Sequence, residues 1–346
     1  MKKNKTTCVS VGGQALMEGI LMNGPKGSAM ALRLPDGSIE VSEKKFTSIK
    51  KKYKFFGMPI IRGVVNFIET MLFGYRCLME SAEKTSLDMG EDNDEEMSKI
   101  DKWITDHFGE KFMSVIGAIS MVLGLALAFG LFIWLPTFLF DMFNKLADGS
   151  IAFLRTVFEG VLRIIIFVVY MIVVSKNKDI KRVYMYHGAE HKSIFCLESG
   201  EALTVENVRK QKRFHPHCGT SFIFVMIILS ILISSIIAVS FPVITTIRPL
   251  WIAVKVLMMP FIMGLGYEFI KYAGKHDNVL VKVLSAPGLW MQRITTIEPT
   301  DDMIEVGIAA LNAVIEHPEV QLDVTSFSED DNQLQTEADT EPREAE

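Results

Sequence analysis

Cysteine is scarce and shows no paired spacing. Four occur in 346 residues (Cys8, Cys77, Cys196 and Cys218) with no CxxC among them, so a disulfide framework is not expected. Glycine is not arranged for a phosphate: GILMNGPK lacks the Gly-Lys-Ser/Thr ending of a Walker A loop, and its lysine is displaced. No internal repeat is visible, which gives an inverted-repeat transporter little support. The opening MKKNKTTCVS is basic but has no apolar stretch behind it. No cleavable signal peptide is expected, and the first membrane span is left to direct insertion. Charge is also low, at 22% Asp, Glu, Lys and Arg, against about 25% in ordinary soluble domains.

What the chain has instead is apolar length. Hydrophobic residues make up 49% of it and Met alone numbers 20. Mean hydropathy is +0.27, and the apolar residues gather into a few long blocks. This excludes a disordered chain and argues against a wholly soluble enzyme. The expected fold class is mainly α: a polytopic helical membrane protein with sizeable water-facing parts. The net charge of -5 is unevenly spread. Residues 324–346 hold eight acidic residues and one arginine, while the other 323 residues hold 35 basic and 33 acidic ones. Such a tail is expected to be disordered. The body is close to neutral, and no nucleic-acid partner is expected.

About four transmembrane helices are expected. Residues 112–135 are 24 residues without a charge, enough to cross a hydrocarbon core of about 30 Å at about 1.5 Å per residue. A second uncharged block, 214–247, holds a span near 220–241. Two weaker spans must accept charges: one over about 151–175 includes Arg155, Glu159 and Arg163, and one over 250–270 includes Lys255 and Glu268. The short loops set the orientation. Residues 176–213 carry nine Lys or Arg, residues 141–150 one and residues 242–249 one, which places the basic loop and both termini in the cytoplasm. Arg155, Glu159 and Arg163 recur at every fourth residue and form one helical stripe. It reads either as a substrate or ion path or as an internal salt bridge.

Residues 55–78 are apolar but broken by Arg62, Asn66, Glu69 and Arg76 on one helical face. That pattern suits an amphipathic helix lying in the membrane interface. Alternation on both sides of Pro35-Asp36-Gly37 predicts a β-hairpin of residues 28–34 and 38–43. Residues 301–316 read as a capped amphipathic helix. The expected organisation is a Gly-rich segment with the β-hairpin (1–54), an interfacial helix and acidic linker (55–111), a four-span membrane domain (112–275) with a cytoplasmic His-rich loop (176–219), C-terminal cytoplasmic helices (276–323) and the tail (324–346).

Chemistry concentrates in the His-rich loop. Four of the seven histidines, His187, His191, His215 and His217, fall within 31 residues. His187-Gly-Ala-Glu190-His191 is an HxxEH. On a helix its three polar side chains share a face, and two imidazoles one turn apart commonly hold one metal ion, with the carboxylate as a further ligand or base. His215-Pro-His217-Cys218 cannot be regular helix, because proline removes a donor, and one or two of its side chains could complete a tetrahedral site. Imidazole with thiolate suits zinc. The alternative is that the histidines meet lipid phosphates or pack on aromatic neighbours. Near the start, Gly12-Gly13-Gln14 and Glu18-Gly19 suggest backbone in close contact with something. Gln14 and Glu18 would be a turn apart if helical, with Glu18 docked on the metal site; the alternative is a glycine-rich entry to the hairpin.

Four stretches carry a family resemblance: GGQALMEGILMNGP, YHGAEHKSIFCLESGEALTVENV, RFHPHCGTSF and APGLWMQRITTIEP. Over about residues 8–316 the chain resembles the YqhQ-like family of bacterial membrane proteins, which goes by a domain-of-unknown-function label and is often described as predicted metal-dependent enzymes. The resemblance implies a multi-pass protein of the bacterial cytoplasmic membrane. It favours Gln14, Glu18, His187, Glu190, His191, His215, His217 and Cys218 as the site. A basic residue often stands where His217 is, which leaves His215 and Cys218 the firmer ligands in that segment.

The leading expectation is a zinc-dependent, hydrolase-like site at the inner mouth of the membrane domain, with a lipid or a membrane-embedded polypeptide as substrate. His187, His191 and Cys218, with His215 and His217 as further candidates, would hold the ion. Glu190 would be general base for a water activated by the metal, with Glu18 a second catalytic candidate. The rival is a non-enzymatic factor for membrane-protein assembly or translocation, with a structural metal or none.

Overall fold

The computed structural model describes residues 11–46, 48–51, 53–86, 119–215, 218–273, 276 and 278–315. Cys8, the expected acidic linker, His217 and the acidic tail lie outside the described residues. An antiparallel meander comes first: β1 (Gly12–Leu16), β2 (Gly19–Gly24), β3 (Gly27–Arg33) and β4 (Ile39–Lys44), paired in chain order. The helices that follow are α1 (Ile61–Ser86), α2 (Ile119–Leu146), α3 (Arg155–Val174), α4 (Lys178–Glu198), α5 (Val205–Lys210), α6 (Gly219–Ser240), α7 (Pro242–Thr246), α8 (Arg248–Ala273), α9 (Val279–Thr295) and α10 (Asp301–Val314).

The expected hairpin is β3–β4, turned at Gly37 with φ +83°. Ahead of it, the stretch whose Gln14 and Glu18 would sit one helical turn apart forms a second hairpin instead. Gly12, Gly13 and Gln14 have little strand preference of their own. Pairing with the Ile20-Leu21-Met22 run of β2 imposes the extended backbone.

The central strands are apolar on both faces. Ile20, Met22, Ala29 and Ala31 point one way, Leu21, Met30 and Leu32 the other, and all are at most 1% exposed. Such strands need cover on both sides. α1 supplies it on one face through Phe73, Cys77 and Leu78. α4 and α10 supply it on the other through Tyr186, Ala189, Met303, Val306 and Ala310. Each fully buried Leu, Ile or Met contributes about 1.5–3 kcal/mol, so the three layers form one cooperative body.

Among the described residues, four stretches are long and apolar enough to cross a membrane: Ile119–Leu146, Ala152–Val174, Ile223–Ser240 and Arg248–Ala273. The first extends past the charge-free block to include Asp141, whose carboxylate is held by Arg155 and Arg248, each at 2.6 Å. The ionisable stripe of α3 is spent on neighbouring helices. Glu159 takes the Lys255 ammonium and, at 3.3 Å, the Trp251 indole N–H. Arg163 donates to Phe132 O at 2.8 Å and Ser230 Oγ at 3.1 Å. Phe132 lies in a π-helical turn, Gly130–Trp134, whose wider winding releases a carbonyl from the regular ladder. This is the internal-pairing alternative for the stripe.

Candidate metal centre

α4 starts at Asn177, whose side chain accepts from the N–H groups of Asp179 and Ile180. It runs unbroken through HGAEH, so His187, Glu190 and His191 share one side. Gly188 decides what covers that side. The segment leaving α9 crosses α4 here, with Ile297 N–H donating to Tyr184 O at 2.9 Å. A Cβ at residue 188 would stand 2.1 Å from Ile297 O, so only glycine admits the crossing. The crossing delivers Thr295 O to His187 Nδ1 at 2.9 Å.

His191 is oriented in the same manner, its Nδ1 lying 2.6 Å from Arg213 O. A carbonyl can only accept, so each Nδ1 carries the proton and each Nε2 keeps its lone pair for a ligand. His187 Nε2 lies 3.3 Å from Cys218 Sγ. One ligand-type atom from each of His187, His191 and Cys218 lies within 4.8 Å of the others. Two imidazoles and a thiol are a donor set that fits zinc. Cys218 immediately precedes α6, so the cluster stands five residues from the apolar stretch that begins at Ile223.

The three side chains line a cavity of about 340 Å³, together with residues 11–15, Tyr184, Glu190 and His215. Glu190 is buried, and burial pushes its carboxyl above the usual carboxylate range against the pull of His187, His215 and the Gly13 N–H. That N–H donates to the carboxylate. A Cβ on Gly13 would stand 3.0 Å from Glu190 Cδ, so the first glycines of the chain are where a strand presses on this carboxyl. A buried acid displaced toward neutrality beside imidazoles can hold or pass a proton. Burial acts oppositely on His191, lowering its pKa and favouring the neutral ring that a metal requires.

The remaining expected residues are placed as follows. His215 lines the cavity but stands outside the three-ligand group: its Nε2 is 3.3 Å from Glu198 Oε2, and its ring centroid is 5.8 Å from that of His191. Glu18 does not line the cavity. It sits in the β1–β2 turn at φ +49°, where Arg182 donates to its carboxylate at 2.5 and 2.6 Å and Tyr186 Oη at 3.1 Å. It therefore fastens the turn to α4. The Gln14 amide rests against Gly74 of α1. His217 lies outside the described residues.

Sequence reasoning missed Gln292, which accepts from His215 N–H at 2.7 Å and donates to His215 O at 2.8 Å. Its only signal was its place inside the APGLWMQRITTIEP stretch. Thr295 and Arg213 act through backbone carbonyls and leave no side-chain signal at all.

Among the described residues, four helices long and apolar enough to cross a membrane join a sheet-and-helix body that gathers two histidines and a cysteine, so the chain is a mainly helical protein with four candidate spans and a candidate metal centre. Residues 58–317 match the family described as Protein of unknown function (DUF1385). The chain is 32% identical over 327 residues to the Uncharacterized protein YqhQ of Bacillus subtilis (strain 168), an alignment covering 91% of this chain and 95% of that protein. The chain belongs to this family, in agreement with its motifs. No solved structure matches it.

Proposed function

We propose that the protein is a zinc-dependent, hydrolase-like enzyme at the cytoplasmic face of the membrane, acting on a lipid or a membrane-embedded polypeptide. One observation carries this reading: three ligand-type side chains converge on a cavity that also holds the buried carboxyl of Glu190. A structural zinc is closed by four protein ligands, whereas a catalytic one keeps a position open. Three donors beside about 340 Å³ of space fit the second case. His187, His191 and Cys218 would hold the ion, which would supply Lewis acidity toward a carbonyl or phosphoryl oxygen. Glu190, steadied by the Gly13 amide, takes a proton from the attacking water and passes it to the leaving group. Gln292 and Glu198 fix His215 as the cavity wall. The position of Cys218 at the head of α6 suits a substrate emerging from the bilayer, and the lysine- and arginine-rich 176–213 segment supports a cytoplasmic placement.

A different observation favours the non-enzymatic assembly or translocation factor. The cluster and its carbonyl partners join α4, residue 213, the head of α6 and the end of α9, as a structural metal would. Elemental mass spectrometry of the purified chain beside the His187→Ala/His191→Ala double variant tests both. About one equivalent of zinc, lost in the variant, is expected for either metal reading. Glu190→Gln should then retain zinc and lose hydrolysis of lipid and peptide substrates. Full activity in that variant would remove Glu190 as the base. Absence of metal after zinc reconstitution would sink the enzyme reading.

A further inference from the structure

Between β4 and α1 the chain reads KKFTSIKKKYKFFGMP, with six lysines and no acidic residue from 44 to 58. Apolar side chains interleave with the lysines and face outward: Phe46, Ile49, Tyr53, Phe55 and Met58 are 45–61% exposed. The pattern continues along α1, where Ile68, Met71, Leu72, Tyr75 and Met79 are 45–59% exposed. Their offsets of 3, 4, 7 and 11 place them on a single helical face, while Phe73 and Cys77 turn inward to the sheet. Ten large apolar residues exposed on one segment and the helix that follows it are more than scattered surface hydrophobics and mark a binding face.

Two features identify the occupant. Alternating lysine and aromatic residues match the headgroup region of an anionic leaflet, where the ring lies at the acyl boundary and the ammonium meets phosphate. The adjacent carboxylates are committed within the protein, Glu69 to Ser48 Oγ and Ile49 N–H and Glu80 to Lys44. A protein partner would have to supply its own acidic complement across a surface that is mostly apolar. The second feature is continuity with a membrane-length helix. The head of α1 is fastened to α8: a Cβ on Gly63 would stand 3.0 Å from Gly264 Cα, and Arg62 grips Glu268 with two bonds of 2.8 Å. Both contacts fall in the last turns of α8, which puts α1 at the level where that apolar stretch ends.

We infer that the exposed side chains of Phe46, Ile49, Tyr53, Phe55 and Met58, in a lysine-rich stretch of sequence, and the Ile68–Met79 stripe of α1 form a docking surface for an anionic lipid bilayer. This goes beyond the proposed chemistry and does not depend on a metal. The buried side of α1 packs on a strand that lines the cavity, Gly74 meeting the Gln14 amide.

The test uses the full chain in nanodiscs of phosphatidylcholine alone or with about a third phosphatidylglycerol. An environment-sensitive fluorescent amino acid replaces Leu72 or, as reference, Asp36 in the exposed β3–β4 turn, and nitroxide-labelled lipids serve as quenchers. Stronger quenching at position 72 than at 36 is expected. It should increase with phosphatidylglycerol, and the increase should vanish at about 1 M salt, where the screening length is about 3 Å. The variant Lys45→Gln/Lys50→Gln/Lys51→Gln/Lys52→Gln/Lys54→Gln should lose the same increase, and the salt experiment reads that term without any substitution. Quenching at 72 no stronger than at 36 in anionic discs overturns the docking surface. Quenching that is equal in both lipids and indifferent to salt overturns its anionic character.

Discussion

Replacing Gly188 by alanine asks whether a backbone crossing orients the candidate metal centre. The added methyl would stand 2.1 Å from Ile297 O and 3.3 Å from both Ile297 C and Pro299 Cδ. Ordinary contact begins near 3.4 Å, so the crossing segment must retreat by more than about 1 Å. Retreat breaks the 2.9 Å bond from Ile297 N–H to Tyr184 O and draws Thr295 O away from His187 Nδ1. Losing a backbone bond costs about 1 kcal/mol, and overpacking adds about 1–3 kcal/mol. Alanine returns up to about 1 kcal/mol through its helix preference. Strain wins, with a net loss of about 1–3 kcal/mol expected in chemical denaturation in mild detergent. On the proposed zinc reading, an imidazole that loses its carbonyl partner should also bind the ion about 10–100-fold more weakly in competition with a fluorescent chelator. Gly307→Ala is the control: its methyl would stand 2.7 Å from Ser193 Oγ, a hydroxyl that can rotate away, and at ordinary contact distance, 3.4 Å, from Ala189 O and Ile20 Cδ1, so less than about 1 kcal/mol is expected. Wild-type stability together with wild-type zinc affinity in Gly188→Ala would refute the orienting role of the crossing.

Other outcomes follow from the same structure. Lys255→Met leaves the Glu159 carboxylate buried without its ammonium, which should cost about 3–5 kcal/mol in a detergent melt, and adding Glu159→Gln should recover most of it. If the double variant is no better than the single one, the pair is not the reason for the loss. Glu18→Gly relieves a left-handed backbone and removes a pair whose arginine is 49% exposed. Stability should change by less than about 1 kcal/mol and zinc content not at all, whereas loss of zinc would place Glu18 in the centre after all. The metal-free protein should show opposed pH limbs. Burial lowers the pKa of His191, so the stability it confers is complete above the ordinary 6.5 and is lost as pH falls through the depressed value. Burial raises the pKa of Glu190, so its contribution is complete below the ordinary 4.5 and is lost as pH rises through the elevated value. Melting temperature against pH should lose its acid limb in His191→Gln and its neutral-side limb in Glu190→Gln, and unchanged profiles would contradict both assignments.

Local pattern alone determined a good part of this protein. Long apolar blocks announce apolar helices because a helix of fixed rise needs a set number of apolar residues, and the two charge-free ones and the two that carry charges all appear near their expected positions. The β3–β4 hairpin was legible from its alternation and its Pro-Asp-Gly turn, the helix at 301 from its cap, and the common face of His187, Glu190 and His191 from helical periodicity. What tertiary structure decided involves partners far apart in the chain. The β1–β2 hairpin forms from glycines because β2 pairs with them. Cys218, and not His215, meets the two imidazoles because Glu198 and Gln292 hold His215 elsewhere. Glu18 goes to Arg182, 164 residues away. The carbonyls that orient the histidines belong to Thr295 and Arg213, and a main-chain acceptor is the same in every residue type. Side-chain identity can nominate a ligand, but only the close approach of backbones, admitted here by Gly188 and Gly13, selects which nominees share one centre.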